Sequence, residues 1–173
     1  MYVRSLLPVR WVVSNAGVLN KSNLATETRA EFDYQMTLNV RAPFFLIQQL
    51  ASSMNSGGSI VMVSSITAKR NFGFPSYSAT KGAISALVVS LAAEFGRSNI
   101  RVNAVAPGWV WTDMSNAVLS DPKTRDPIYS TIALGRVATP EEIAGPVLFL
   151  CTNHAGFITG EIFNVNGGAV LVG

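Results

Sequence analysis

The chain has 173 residues, of which 49% are hydrophobic and 13% charged, and its formal net charge is +3. This length and apolar fraction suit one globular domain with a core of its own. The low charged fraction predicts that neighbouring protein or a partner subunit covers part of the surface. Basic residues are scattered along the chain rather than gathered in a stripe, so we do not expect nucleic-acid binding.

The chain contains a single cysteine, Cys151, and a single histidine, His154. One cysteine excludes an intrachain disulfide, and no Cys/His spacing typical of a metal site occurs. No apolar run approaches the ~18 residues that span a bilayer. The opening segment Met1–Arg10 contains two arginines and no acid, but lacks the apolar stretch and cleavage site of a targeting peptide. We therefore expect a cytoplasmic protein with no metal site and no membrane contact.

The first half of the chain predicts two strands separated by a helix. Val9–Asn15 is an apolar run that ends in a turn at Ala16-Gly17 and reads as a buried strand. A capping box at Thr28 and Glu31 begins a helix that runs through Phe44, with Pro43 expected to interrupt or bend it. Ser59–Ser65 is the second apolar run and predicts the second strand.

The second half continues the alternation. Apolar residues at helical spacing between Ala83 and Phe95 predict a helix that ends at Ser98-Asn99. Ile100–Ala106 predicts a third strand, and residues 113–138 predict a long loop with one or two short helices. A capping box at Thr139 and Glu142 begins the last helix, and Ile158–Val165 predicts the last strand.

This order of strands and helices predicts an α/β fold with a doubly wound parallel sheet. Ligands of such sheets bind outside the carboxyl ends of the strands. Asn15, Ser64-Ser65 and Pro107-Gly108 each follow a predicted strand, so we expect them to share one crevice.

Tyr77 and Lys81 lie four residues apart, which places a phenol and an ammonium on one face of a helix. A free tyrosine, with a pKa of ~10, is a poor acid–base catalyst near neutral pH. A neighbouring ammonium stabilises the phenolate, so we expect Lys81 to lower the pKa of Tyr77. The pattern YxxxK is weak by itself, and its meaning depends on the surrounding residues.

Those surrounding residues resemble the short-chain dehydrogenase/reductase family across almost the whole chain. The matching segments are Ser14-Asn15-Ala16-Gly17, Leu38-Asn39-Val40, Ser64-Ser65, Tyr77 with Lys81, Arg101-Val102-Asn103, Pro107-Gly108, Thr112 and Asn166-Gly167-Gly168. The resemblance departs from the family pattern at Ser14 and Asn166, where the family usually has Asn and Asp.

The resemblance implies an NAD- or NADP-dependent oxidoreductase that interconverts a secondary alcohol and a ketone, with Tyr77 as general acid/base. Ser65 would bind the substrate oxygen, Lys81 the cofactor ribose, and Asn39 a water molecule linking Lys81 to solvent. The cofactor-binding residues that it implies are Asn15, Ala16, Gly17, Tyr77, Lys81, Pro107, Gly108, Val110 and Thr112.

Two serines compete for the role beside Tyr77. Counting back from the tyrosine by the usual family spacing selects Ser64, whereas alignment of the strand selects Ser65 and shortens the following loop by one residue. Only one of two neighbouring strand residues can face the substrate. We predict Ser65, because loops absorb deletions more readily than buried strands do.

The family also begins with a glycine-rich TGxxxGxG turn that binds the cofactor pyrophosphate, and nothing in this chain matches it. The resemblance thus predicts a partial Rossmann-like sheet, roughly strands 4–7 of seven. We divide the chain into an atypical leader, residues 1–10, and a truncated dehydrogenase domain, residues 11–173. The alternative is a catalytically inactive fragment that at most associates with other subunits. The resemblance also implies a homo-oligomer through the helix that carries Tyr77 and Lys81.

Overall fold

A computed structural model of the chain describes residues 8–70 and 72–170. The strands are β1 (Val9–Ser14), β2 (Met54–Val63), β3 (Arg101–Pro107) and β4 (Ile162–Val165). The helices are α1 (Arg29–Met36), α2 (Ala42–Ala51), α3 (Pro75–Phe95), α4 (Asp113–Leu119), α5 (Pro122–Ser130) and α6 (Pro140–Cys151). A π-helical turn, Thr37–Arg41, joins α1 to α2. β1 begins inside the predicted leader, of which residues 1–7 lie outside the described residues.

The four strands form one parallel sheet in the order β1-β2-β3-β4. The predicted α/β class and parallel sheet are therefore confirmed. Each face of the sheet is covered by helices, which explains why the strands are apolar on both sides. One core lies between the sheet and α2 with α3, around Ile60, Val88 and Val102. The second lies between the sheet and α6, around Val61, Val105 and Leu150.

Local sequence explains where most helices begin. Thr28 and Thr139 accept hydrogen bonds from Glu31 N and Glu142 N, and both predicted capping boxes are present. After α3, the chain leaves the helix at Asn99, which has a φ of 56°, as the predicted stop at Ser98-Asn99 requires. The segment 113–138 contains α4 and α5, so the expectation of short helices is confirmed.

Pro43 coincides with an interruption of the first predicted helix, which the π-helical turn divides into α1 and α2. It lies in the first turn of α2, directly after the π-helical turn. A proline lacks the N–H that would bond to the carbonyl four residues earlier, which here belongs to Asn39. The wider turn, closed by Ala42 N and Thr37 O, carries the helix past that missing bond.

Two strands, β2 and β4, differ from the prediction by more than one residue. β2 begins at Met54 rather than Ser59 and ends at Val63, so that Ser64 and Ser65 follow the strand. β4 begins at Ile162 rather than Ile158. Gly160, with a φ of 82°, turns the chain just before β4, while Ile158 packs into the α6 side of the core. A turn of this geometry delays strand pairing.

β1 is an edge strand within the described sheet. Val13 pairs with Val61, so its side chain is on the same face of the sheet as α6. Because α6 lies over β2 and β3 rather than over β1, Val13 is 47% exposed. Trp11 is 52% exposed, and Leu148 on α6 is 63% exposed. An apolar edge of this kind leaves room for further protein against β1.

The segment Pro75–Ser98 is long and apolar enough to pass the length and hydropathy test for a membrane span, contrary to the expectation from sequence. Core helices of soluble domains pass the same test. Here Ile84, Val88, Leu91 and Ala92 pack into the core against the sheet. These contacts describe a helix of a protein core.

Candidate active site

The carboxyl ends of β1, β2 and β3 open into one crevice of about 900 Å³. It is lined by nearly all of the predicted site residues, namely Asn15, Ala16, Gly17, Ser64, Ser65, Tyr77, Lys81, Pro107, Gly108, Val110 and Thr112. The topology brings these residues together because parallel strands present their carboxyl ends at the same edge.

Tyr77 and Lys81 lie on successive turns near the start of α3, with Lys81 Nζ 5.5 Å from the centre of the Tyr77 ring. Lys81 Nζ donates a hydrogen bond to Val63 O at 2.8 Å, which ties the ammonium to the end of β2. Lys81 is only 4% exposed, and its burial lowers its pKa from 10.5 to about 8.

The pKa of Tyr77 moves in the opposite direction to the one expected from the sequence. Burial raises it to about 12, and only a hydrogen bond from Ser65 acts against that rise. Lys81 does not lower it in this structure. The 2.8 Å hydrogen bond that its ammonium donates goes to the Val63 carbonyl.

Ser64 and Ser65 have different partners. Ser64 is 2% exposed, and its hydroxyl donates to Lys81 O at 3.0 Å and lies 2.9 Å from Ser85 Oγ. Ser65 accepts a hydrogen bond from Thr67 N at 3.2 Å, and its hydroxyl also forms a hydrogen bond with the Tyr77 hydroxyl. This geometry favours Ser65 for the predicted role, while Ser64 fastens β2 to α3.

Asn39 lies behind the crevice rather than in its lining. It is 2% exposed, and its amide donates to Val18 O at 2.9 Å and to Thr80 Oγ1 at 3.1 Å, while Oδ1 accepts from Val18 N at 2.8 Å. Both amide hydrogens are therefore used in holding protein. The main-chain carbonyl of Asn39 cannot receive the usual helical bond from position 43, since that residue is proline.

Thr112 and Val110 stand where the chain leaves β3 toward α4. Thr112 N donates to Ser115 Oγ at 3.1 Å, and the Ser115 hydroxyl donates to Val110 O. Val110 also pairs with Ala138 in an isolated bridge. These bonds fix the turn that forms this side of the crevice.

The remaining crevice wall is mostly apolar, and most of its residues belong to no motif of the sequence. Phe72 and Trp109 pack edge to face with their ring centres 6.4 Å apart. Of the apolar residues on α4, Met114 and Val118 line the crevice, whereas Leu119 is fully buried. Aromatic residues near a turn give no pattern by themselves, so only the fold could place them here.

No group of three or more His, Cys, Asp or Glu residues that could hold a metal ion occurs among residues 8–70 and 72–170. The charged side chains that line the crevice are Lys21, Lys81 and Asp113.

A parallel sheet whose carboxyl edge carries a serine, a tyrosine and a lysine in one crevice has clear relatives. Residues 5–170 match the family model described as enoyl-(acyl carrier protein) reductase. The chain is 41% identical over 161 residues to a 3alpha-hydroxysteroid dehydrogenase from Mediterraneibacter gnavus, an alignment that covers 91% of this chain and 64% of that protein. It is 38% identical to an acetoacetyl-CoA reductase from Synechocystis, over 92% of this chain and 68% of the relative.

Solved structures agree with this relationship. A dehydrogenase/reductase from Sinorhizobium meliloti superposes with a TM-score of 0.91 at 34% identity, over 98% of this chain and 67% of that one. The angucycline C-6 ketoreductase LanV, solved with bound NADP, gives a TM-score of 0.87 at 34% identity, over 95% of this chain and 63% of that one. The chain belongs to the short-chain dehydrogenase/reductase family of oxidoreductases. It spans roughly half to two thirds of the length of relatives such as the steroid dehydrogenase and a plant tropinone reductase homologue.

Proposed function

We propose that this chain carries the catalytic part of an NAD(P)-dependent oxidoreductase that interconverts a secondary alcohol and a ketone. The observation that carries the proposal is the convergence of Ser65, Tyr77 and Lys81 in the crevice at the carboxyl edge of the sheet. We further propose that β1–β4 correspond to strands 4–7 of the family's seven-stranded sheet. The exposed apolar edge of β1 supports that correspondence.

In this proposal Tyr77 exchanges the proton with the substrate oxygen. With a pKa raised to about 12, Tyr77 is protonated at neutral pH and can donate to a carbonyl oxygen. The Ser65 hydroxyl forms a hydrogen bond with the Tyr77 hydroxyl in the present structure and can instead donate to a substrate oxygen at the same place. The resemblance to the family assigns to Ser65 the contact with the substrate oxygen. In the direction of ketone reduction this phenol is the acid, and in the direction of alcohol oxidation its phenolate is the base.

Lys81 and Asn39 support that proton transfer by binding the cofactor ribose and a water molecule, respectively. Lys81 Nζ bonds to Val63 O, which leaves two of its three N–H groups for the cofactor ribose that the family resemblance assigns to it. The Asn39 carbonyl, opposite a proline, can accept the water molecule of the proposed proton relay. The side-chain amide of Asn39 holds Val18 and Thr80 instead.

The described residues fit the nicotinamide and ribose half of the cofactor. Gly17 lies so close to the two polar groups behind it that a Cβ atom would be 3.3 Å from Asn39 Oδ1 and 3.5 Å from Lys81 Nζ. A larger residue here would press on Asn39 and narrow this side of the crevice. The cofactor, when bound, would supply or accept the hydride, while the protein orients it and sets the local charge. Pyrophosphate contacts of the TGxxxGxG kind would come from protein outside this sequence.

We also propose a homo-oligomer that forms through the outer face of α3. A groove of about 840 Å³ lies between α1, α2 and α3, and its lining is mostly apolar. Phe44, Phe45 and Val89 are 38%, 43% and 59% exposed. Exposed aromatic and aliphatic side chains beside a groove are typical of surfaces that contact another protein. Sedimentation of the purified chain tests this proposal, and a Val89→Glu variant that sediments as the wild type would count against it.

A nucleotide titration and a substitution test the enzyme proposal. Binding of NADPH or NADH should quench the fluorescence of Trp109, which lines the crevice. Tyr77→Phe should lower turnover by about 10²–10⁴-fold and leave nucleotide affinity nearly unchanged, because it removes the proton and little else. Substantial turnover by Tyr77→Phe would exclude Tyr77 as the acid. If neither nucleotide binds the wild-type chain, this chain alone is the inactive fragment.

A further inference from the structure

Asn39 has a buried counterpart one helical turn earlier, at Gln35. Gln35 is 0% exposed and lies on α1 four residues before Asn39. Its amide Nε2 donates to Ser76 Oγ at 2.9 Å and to Glu27 Oε1 at 3.0 Å, while its Oε1 accepts from Asn20 N at 3.2 Å. Burying an amide is costly unless its hydrogen bonds are made, and those of Gln35 are made to three separate segments.

The bonds of the two amides repeat in register. Each amide donates one N–H to a hydroxyl on α3, Gln35 to Ser76 and Asn39 to Thr80. Each also accepts a main-chain N–H from the loop after β1, at Asn20 and Val18 respectively. Ser76 and Thr80 are 5% and 0% exposed, so both hydroxyls lie inside the protein.

The spacing connects these bonds to the catalytic pair. Ser76 and Thr80 are one helical turn apart, and each directly precedes a catalytic residue, Tyr77 or Lys81. The loop after β1, to which both amides also bond, forms part of the crevice wall, because Leu19, between Val18 and Asn20, lines the crevice. The two amides thus hold α3 and the crevice wall at a fixed distance from each other.

We propose that Gln35 is a positioning residue that fixes Tyr77 and the Val18–Asn20 wall through Ser76, as Asn39 fixes Lys81 through Thr80. The positioning of Tyr77 is a property of this structure, whereas any effect on turnover rests on the proposed oxidoreductase function. The competing explanation is a buried glutamine that stabilises the fold and has no influence on Tyr77.

Two substitutions remove the Gln35–Ser76 bond from opposite sides. Gln35→Met keeps the length of the side chain and removes all three hydrogen bonds, while Ser76→Ala removes one hydroxyl. Gln48→Met makes the same change at an exposed position of α2 and serves as the matched control. Ser59→Ala removes a different buried bond, to Leu150 O at 2.9 Å, in the middle of β2.

The readout is the Tyr77 ring resonance in protein labelled with ¹³C-tyrosine, assigned by its loss in Tyr77→Phe. We expect this resonance to shift or broaden in Gln35→Met and Ser76→Ala and to keep its position in Gln48→Met and Ser59→Ala. An unchanged Tyr77 resonance in folded Gln35→Met overturns the proposal. If Gln35→Met does not fold, Ser76→Ala decides by the same signal.

Turnover provides a second and separate measurement. In protein that reduces a ketone with NADPH, Gln35→Met should lower kcat by about 10–100-fold and change the nucleotide KM by less than about 2-fold, since a small displacement near the reacting atoms is costly. A loss confined to KM would contradict positioning of Tyr77. If even the wild type lacks turnover, the proposed function fails, and the resonance still decides the role of Gln35.

Discussion

Replacing Lys81 by methionine should change how the stability of the protein depends on pH. Burial lowers the pKa of Lys81 to about 8, whereas the unfolded chain keeps that proton up to about 10.5. Between these values the unfolded state binds more protons, so the stability of the wild type rises with pH. Below pH 8 both states are protonated, and the full cost of burying the charge is present.

The size of this effect follows from the shift. A pKa lowered from 10.5 to about 8 corresponds to a destabilisation of at most about 3 kcal/mol below pH 8. The wild type should regain about 2 kcal/mol of it between about pH 7 and about pH 9.5. Methionine also loses the 2.8 Å bond to Val63 O, which costs about 1–3 kcal/mol at every pH. The informative quantity is therefore the change in the free energy of unfolding with pH, rather than the difference between the two proteins at any one pH.

Tyr77 contributes with the opposite sign and in another range. Its pKa is raised from 10.0 to about 12, so it lowers stability only as the pH rises above 10. Urea unfolding of wild type and Lys81→Met across the lower range should give free-energy curves whose difference shifts by about 2 kcal/mol in favour of the wild type, because only the wild type gains stability. Lys123→Met, at an exposed lysine, should run parallel to the wild type. A constant difference between wild type and Lys81→Met would refute the assigned burial cost.

Further substitutions distinguish residues that act in catalysis from residues that only stabilise the fold. Ser64→Ala should lower the free energy of unfolding by about 1–3 kcal/mol in urea titrations, because it leaves buried partners unpaired; Ser65→Ala should cost less stability and more turnover, and the reverse ranking would assign the catalytic role to Ser64. Ile60→Ala, at a fully buried position, should cost about 2–5 kcal/mol, and a loss below that range would mean that the core collapses around the cavity. Val13→Lys should reduce light scattering by concentrated protein without lowering stability, since it places a charge on the exposed edge strand. If the variant aggregates as much as the wild type, aggregation does not proceed through β1.

Local patterns predicted the features that depend on few residues. The capping boxes at Thr28 and Thr139 need only a hydroxyl and a glutamate three positions later, and both form. The apolar runs predicted the parallel sheet for a similar reason, since period and length are visible along the chain. The crevice then follows from topology, because strand ends at one edge bring Asn15, Ser65 and Gly108 together.

What the sequence could not predict depends on direction in space. Spacing placed Lys81 one turn from Tyr77, but the direction of its ammonium toward Val63 O arises from packing of α3 on β2. The rise in the pKa of Tyr77 is caused by burial, which no spacing reveals. Gln35 looked like an ordinary polar residue of a capped helix. The sequence does contain two matching pairs of polar residues four positions apart. One is the amide pair Gln35 and Asn39, and the other is the hydroxyl pair Ser76 and Thr80. Only the fold shows that the two pairs face each other.

The sheet order β1-β2-β3-β4 matches the order of the chain, and this has a consequence for synthesis on the ribosome. Each strand can dock on the strand made just before it, without waiting for a distant segment. About 40 residues separate the end of β1 from the start of β2, which at about 5–20 residues per second leaves β1 without this neighbour for about 2–8 s. During that interval the apolar side chains of Trp11, Val12 and Val13 are available to chaperones, so nascent-chain capture should peak before β2 emerges and fall once it pairs.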